Sequence, residues 1–100
     1  MTAREMFEQL GYDYYDNHFL NVPQSQDVLI PQDAPYLEYT NKMNEYEEII
    51  RFYPHGVLIT ASTFIHRDDG TYRIAAPLNM LELKAIMKQC EELGWLREEE

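Results

Sequence analysis

The sequence predicts an α+β fold in which an N-terminal helix, a three- to four-stranded antiparallel meander and a C-terminal helix follow one another. Both helices are expected on one face of the sheet. Three observations predict this class. Apolar residues recur at helical spacing near both ends of the chain, they alternate with polar residues in its centre, and turn residues separate the alternating runs. A chain of 100 residues is expected to form a single domain, 1–100.

The N-terminal helix is predicted from its two ends. Thr2 and Glu5 have the spacing of a capping box, in which each residue's side chain accepts a hydrogen bond from the other's backbone N–H. Gly11 is expected to end the helix in a left-handed conformation. The apolar face is expected to contain Ala3, Met6, Phe7 and Leu10.

The C-terminal helix repeats this pattern. Asn79 and Glu82 have capping-box spacing, and Gly94 follows the last apolar position. Cys90 lies inside the apolar stripe, where a thiol packs in the core and is a poor nucleophile. The stripe is predicted to contain Leu83, Ile86, Met87, Cys90 and Leu93.

The centre of the chain predicts three strands and a fourth at the edge. Residues 47–53, 57–65 and 71–76 alternate between apolar and polar side chains, which is typical of half-buried strands. The turns Tyr-Pro-His-Gly and His-Arg-Asp-Asp-Gly connect them as hairpins. Residues 36–40 are expected to join as an edge strand.

Two segments are expected to be irregular. Residues 18–22 and 27–30 are short strand candidates, but three prolines interrupt residues 21–35 and remove hydrogen-bond donors, which predicts a long, partly ordered excursion. The tail 97–100 is rich in glutamate and is expected to be frayed.

Charge and composition limit the classes of partner that the protein is expected to bind. Eighteen acidic and eight basic side chains give a formal charge of −10, which repels phosphates and attracts basic surfaces. We therefore expect no direct binding to nucleic acid. The single cysteine fits a reducing compartment, and the start of the chain lacks the pattern of a secretory signal. No apolar run is long enough to span a bilayer, so we expect no membrane interaction.

Enzyme templates are missing from the sequence. It contains no glycine-rich phosphate loop, no GxSxG elbow, no HExxH motif and no CxxC pair. His55 and His66 flank one predicted strand at opposite ends, too far apart to share a metal ion. The sequence therefore predicts a protein without enzymatic activity, cofactor or metal.

A tyrosine- and acid-rich segment remains as the candidate binding site. Six of the eight tyrosines lie before residue 47, together with eight of the eighteen acids. Two interpretations stay open: the rings cover a small core and a sheet edge while the acids provide solubility, or they form a recognition surface, since tyrosine is enriched at interfaces. The predicted partner-binding residues are Tyr36, Glu38, Tyr39, Glu45, Tyr46, Glu47 and Glu48.

The two ends of the chain suggest a family. The segments 1-MTAREMFEQLGY-12 and 79-NMLELKAIMKQCEELGW-95 resemble those of small, mostly uncharacterised proteins encoded by phages and prophages of Gram-positive bacteria. Because these motifs consist of helix caps and core positions, the resemblance implies a fold and a genetic context but no catalytic residue. It implies that the protein acts in the host bacterial cytoplasm.

Three functions are compatible with these observations. The first is a phage-encoded binding protein that engages a basic host protein, for example an inhibitor of a host defence nuclease that imitates nucleic acid with its acids, as some anti-CRISPR proteins do. The second is a structural or assembly accessory that self-associates through a sheet edge or through Ile49 and Tyr53. The third is a protein that sequesters a nucleotide signal, for which Arg51, Arg67 and Arg73 are the local support. We expect a monomer or a weak homodimer.

Overall fold

The computed structural model describes residues 1–19 and 34–96. An antiparallel sheet of five strands, in the spatial order β1-β2-β3-β4-β5, lies between two helices in the chain. The predicted α+β class, with a helix at each end, is confirmed, but the sheet has five strands where three to four were predicted. The tail 97–100 and nearly all of the predicted excursion 21–35 lie outside the described residues. The elements are α1 (Ala3–Gln9), β1 (Asp13–Asn17), β2 (Tyr36–Met43), β3 (Tyr46–Tyr53), β4 (Leu58–Arg67), β5 (Gly70–Ala75) and α2 (Met80–Glu92).

The unpredicted strand is β1. Its sequence, Asp-Tyr-Tyr-Asp-Asn, contains aspartate and asparagine, which are uncommon in strands, so propensity alone did not reveal it. It pairs along its whole length with β2, which places Tyr15 opposite Glu38 and Tyr14 opposite Tyr39. The pairing makes β2 an interior strand rather than the predicted edge.

The predicted capping of α1 is confirmed. The Thr2 hydroxyl accepts a hydrogen bond from the Glu5 N–H at 3.2 Å, and the Glu5 carboxylate accepts from the Thr2 N–H at 2.9 Å. Gly11 follows the helix at a φ of 92°, a conformation that glycine adopts without steric cost. The turn places Tyr12 beside Phe7, with ring centroids 5.5 Å apart.

The predicted capping box of α2 is also present, but the predicted apolar stripe is wrong in part. Leu83 and Met87 are 39% and 55% exposed, respectively. Glu82 and Gln89 are buried in their place because each accepts a hydrogen bond from a core tyrosine hydroxyl. The buried face of α2 contains Glu82, Ala85, Ile86, Gln89 and Cys90.

Both helices cover the same face of the sheet, which we call the inner face. The Phe7 ring of α1 stacks on Tyr39 at a centroid distance of 3.9 Å, and Gln89 of α2 accepts a hydrogen bond from the hydroxyl of the same tyrosine at 2.5 Å. Ile50 and Phe52 extend this core along β3 and are almost fully buried. Burial of each large apolar side chain stabilises the fold by about 1.5–3 kcal/mol.

Candidate functional site

The opposite face of the sheet, which we call the outer face, carries three of the seven predicted partner-binding residues. Strand alternation sends Tyr36 and Glu38 of β2 to this face, and Glu47 of β3 as well. None of the three is buried. They are therefore available to a partner.

Two other predicted residues face the helices. Tyr39 is 1% exposed and lies in the centre of the core, so its predicted place on the binding surface is wrong. Its place follows from the register, which sets it opposite Ile50 on the inner face. Glu48 also points inward, where it accepts a hydrogen bond from the Tyr12 hydroxyl at 2.8 Å.

The last two predicted residues lie at the end of the β2–β3 hairpin. Glu45 is in the turn and is exposed, and Tyr46 follows it on the inner face with 39% of its surface exposed. The segment 36–48 consequently divides among the outer face, the inner face and a turn. It does not form one continuous acidic surface.

Arg51 organises the centre of the outer face. Its Nε donates to Glu38 Oε1 at 2.8 Å, and its Nη1 donates to the Tyr53 hydroxyl at 3.3 Å. Its guanidinium also lies over the Tyr36 ring, 4.2 Å from the centroid. The four side chains restrain one another and form a unit that we call the Arg51 cluster: Tyr36, Glu38, Arg51 and Tyr53.

Two members of this cluster, Tyr36 and Arg51, have pKa values above their ordinary values. Burial raises the pKa of Tyr36 above its ordinary value and outweighs the opposing effect of Arg51. Burial lowers the pKa of Arg51, but hydrogen bonds to Tyr53 and Glu38 more than offset this and leave a net rise. Tyr36 is therefore a neutral phenol and Arg51 a charged guanidinium at neutral pH.

A shallow concavity of about 220 Å³ adjoins the Arg51 cluster. On its far side Arg73 donates from Nε to the Ser62 hydroxyl at 3.1 Å. The sheet thus brings two of the three predicted arginines together, while Arg67 lies at the far end of β4. Phe64 was not predicted as a site residue, although it lies two positions after Ser62 in β4 and so shares its face. The lining residues are Ile49, Arg51, Tyr53, Thr60, Ser62, Phe64 and Arg73.

The outer face is balanced in charge although the chain is strongly acidic. Among the described strand residues that the register assigns to it, three are acids and three are bases. Excess acidity therefore lies elsewhere on the molecule. The acids are Asp13, Glu38 and Glu47, and the bases are Lys42, Arg51 and Arg73.

A second polar cluster lies between the sheet and the start of α2. The Tyr12 hydroxyl hydrogen-bonds the carboxylates of Glu48 and Glu82, and the other oxygen of Glu82 accepts from the Asn79 N–H at 3.0 Å. Burial, followed by the bonds to Glu82 and Glu48, raises the pKa of Tyr12 well above its ordinary value. Since these groups satisfy one another, we interpret the cluster as a joint between helix and sheet.

The predicted inert cysteine has the expected environment. Cys90 is 5% exposed, and burial raises the pKa of its thiol. Within residues 1–19 and 34–96, no group of three or more His, Cys, Asp or Glu side chains could hold a metal ion. No helix in this part of the chain is long and apolar enough to cross a membrane.

Comparison of the chain with known protein families, curated proteins and solved structures finds no match.

Proposed function

We propose that this is a non-enzymatic binding protein that recognises another protein through the outer face of its sheet. The observation that carries the proposal is the Arg51 cluster, where an arginine is stacked and hydrogen-bonded between two tyrosines on a face that neither α1 nor α2 covers. Tyrosine and arginine are enriched among residues that dominate binding energy. Because their rotamers are already restrained, less entropy is lost on binding.

The charge of the chain favours a partner with a basic surface. A net charge of −10 attracts such a partner from a distance, while the balanced outer face supplies the contacts. The phage resemblance suggests a host protein in the bacterial cytoplasm. Imitation of nucleic acid is less well supported, because it needs rows of carboxylates on one surface. The acids of segment 36–48 lie instead on the outer face, on the inner face and in a turn.

Capture of a partner from host lysate, followed by mass spectrometry, tests this proposal. Wild type is compared with an outer-face double variant, Tyr36→Ala with Arg51→Ala, and with the control Leu81→Gln on α2. A partner retained by wild type and control but lost with the double variant supports the proposal. Capture of the same proteins by all three would contradict it. Denaturation of each variant establishes that the fold is retained.

The concavity beside Arg73 favours a second candidate function, binding of a small anionic ligand with a planar ring. Arg51 and Arg73 offer cationic donors, and Phe64 offers a ring for stacking. Glu38 opposes this function because it already neutralises Arg51. Calorimetry with cyclic nucleotides distinguishes the candidates. Binding heat that disappears in Arg73→Ala supports ligand binding, and the absence of heat with wild type excludes it.

A further inference from the structure

The exposed side of α2 carries an apolar stripe that points away from the sheet. Met80, Leu83 and Met87 follow one another at helical spacing and are 66%, 39% and 55% exposed. Leu96, beyond the helix, is 48% exposed, and Met6 of α1 adjoins them. We call these five residues the methionine stripe. They line a groove of about 330 Å³.

The stripe exists because α2 buries polar side chains instead. Glu82 and Gln89 occupy inward positions to meet Tyr12 and Tyr39, whereas Leu83 and Met87 turn outward. An exposed contiguous apolar surface on a small protein is typical of an interaction site. Methionine suits such a site because its flexible side chain adapts to an opposing surface.

Charges along the stripe change sign from one end of α2 to the other. Lys84 and Lys88 flank its centre, whereas Glu91 lies at its C-terminal end. If a second α2 is laid antiparallel across the stripe, with the twofold axis near Met87, Lys84 of each copy lies beside Glu91 of the other. The same rotation brings Met80 of each copy toward Leu96 of the other. The surface is therefore complementary to itself in both charge and apolarity.

We propose that the methionine stripe is a homodimer interface formed by two antiparallel α2 helices. A twofold interface uses the same patch on both subunits, so each charge must meet an opposite charge of the same patch. Lys84 and Glu91 satisfy this condition. The net charge of −10 on each copy opposes association, and salt reduces this repulsion because charges beyond about 8 Å are screened at physiological ionic strength. This interface lies on the helix side of the sheet and is independent of the proposed function of the outer face.

Sedimentation velocity with two charge reversals tests this geometry. Lys84→Glu alone places Glu against Glu91 of the other copy, and Glu91→Lys alone places Lys against Lys84, so each variant is expected to be monomeric. An equal mixture restores both attractive pairs and is expected to sediment as a dimer. Lys88 pairs with Glu91 within one chain at 3.6 Å, but this exposed pair contributes little to folding.

Two further variants keep the test decisive. Met87→Glu puts a charge in the centre of the stripe and is expected to raise the dimer dissociation constant by at least roughly 100-fold. Leu81→Gln, on α2 but outside the groove, is the matched control and is expected to leave the constant unchanged. A wild-type protein that stays monomeric at high concentration overturns the proposal. A mixture of the two charge variants that remains monomeric overturns the antiparallel arrangement.

Discussion

Removal of the Tyr12 hydroxyl tests the joint between α2 and the sheet. In Tyr12→Phe the ring keeps its place against Phe7, so no cavity forms and the loss is confined to the hydroxyl. Glu48 is only partly buried and can turn to water, but Glu82 is 7% exposed and loses a donor that water cannot readily replace. Hydrogen bonds to charged groups contribute about 1.5–3 kcal/mol, so we expect the free energy of unfolding to fall by about 2 kcal/mol.

Urea denaturation followed by circular dichroism measures this loss. With a slope of about 1–3 kcal/mol per molar urea, the midpoint is expected to fall by about 1 M at an unchanged slope. Tyr15→Phe is the matched control, since Tyr15 is 52% exposed, and its effect is expected to stay within about 0.5 kcal/mol. Equal stability of the two variants would show that the Tyr12 hydroxyl contributes nothing and would refute the reasoning.

The same pair of proteins makes a prediction about alkaline pH. The pKa of Tyr12 is raised in the folded state, so the folded protein keeps a proton that the unfolded chain releases above about pH 10. Its contribution is therefore complete below that pH and is lost as the pH rises further. We expect the advantage of wild type over Tyr12→Phe to shrink above pH 10, by up to about 1.4 kcal/mol per pH unit. A constant difference across that range would contradict the assignment.

Three other variants or measurements probe the interior. Tyr39→Phe removes the donor to the buried Gln89 amide and is expected to cost about 1–2 kcal/mol of unfolding free energy in the same urea assay; an unchanged midpoint would argue against this bond. Thr63→Val is expected to stabilise the protein by about 1 kcal/mol, because the Thr63 hydroxyl is buried without a partner among the described residues, and a lower melting temperature would contradict this. The Cys90 thiol is expected to react with a disulfide reagent only as fast as the protein opens, whereas immediate reaction in the native state would show that it is accessible.

The helix ends and the alternation along β3 were predictable because they depend on local rules, but the half-buried strand predicted at 71–76 is wrong, since β5 is exposed at every position. Capping boxes need only the right residues three positions apart, and Ile50 and Phe52 show the strand period directly. The buried face of α2 was not predictable in this way. Glu82 and Gln89 are inward only because two tyrosine hydroxyls, distant in sequence, reach them across the core.

The candidate site was only partly predictable, because strand register decides which of its residues face outward. The sequence singled out Tyr36, Glu38 and Glu47, which the sheet places on the outer face, but it also included Tyr39, which the sheet buries. The turn at residues 44–45 determines which β2 residues face outward and which are buried. It pairs Met43 with Tyr46 and so fixes the face on which every β2 side chain lies. Asparagine tolerates the left-handed conformation found there, and an Asn-Glu turn gives a weaker signal than Asn-Gly.

The layered arrangement of helices over one side of the sheet has a consequence for valency. If two copies join through the methionine stripes, each helix layer lies between the twofold axis and its own sheet, and the two Arg51 clusters are directed outward. Such a dimer would display two copies of one recognition surface and could hold both sites of a symmetric target at once. Binding to a target with paired sites would then exceed the affinity of a single face, through a raised effective concentration rather than through any new contact.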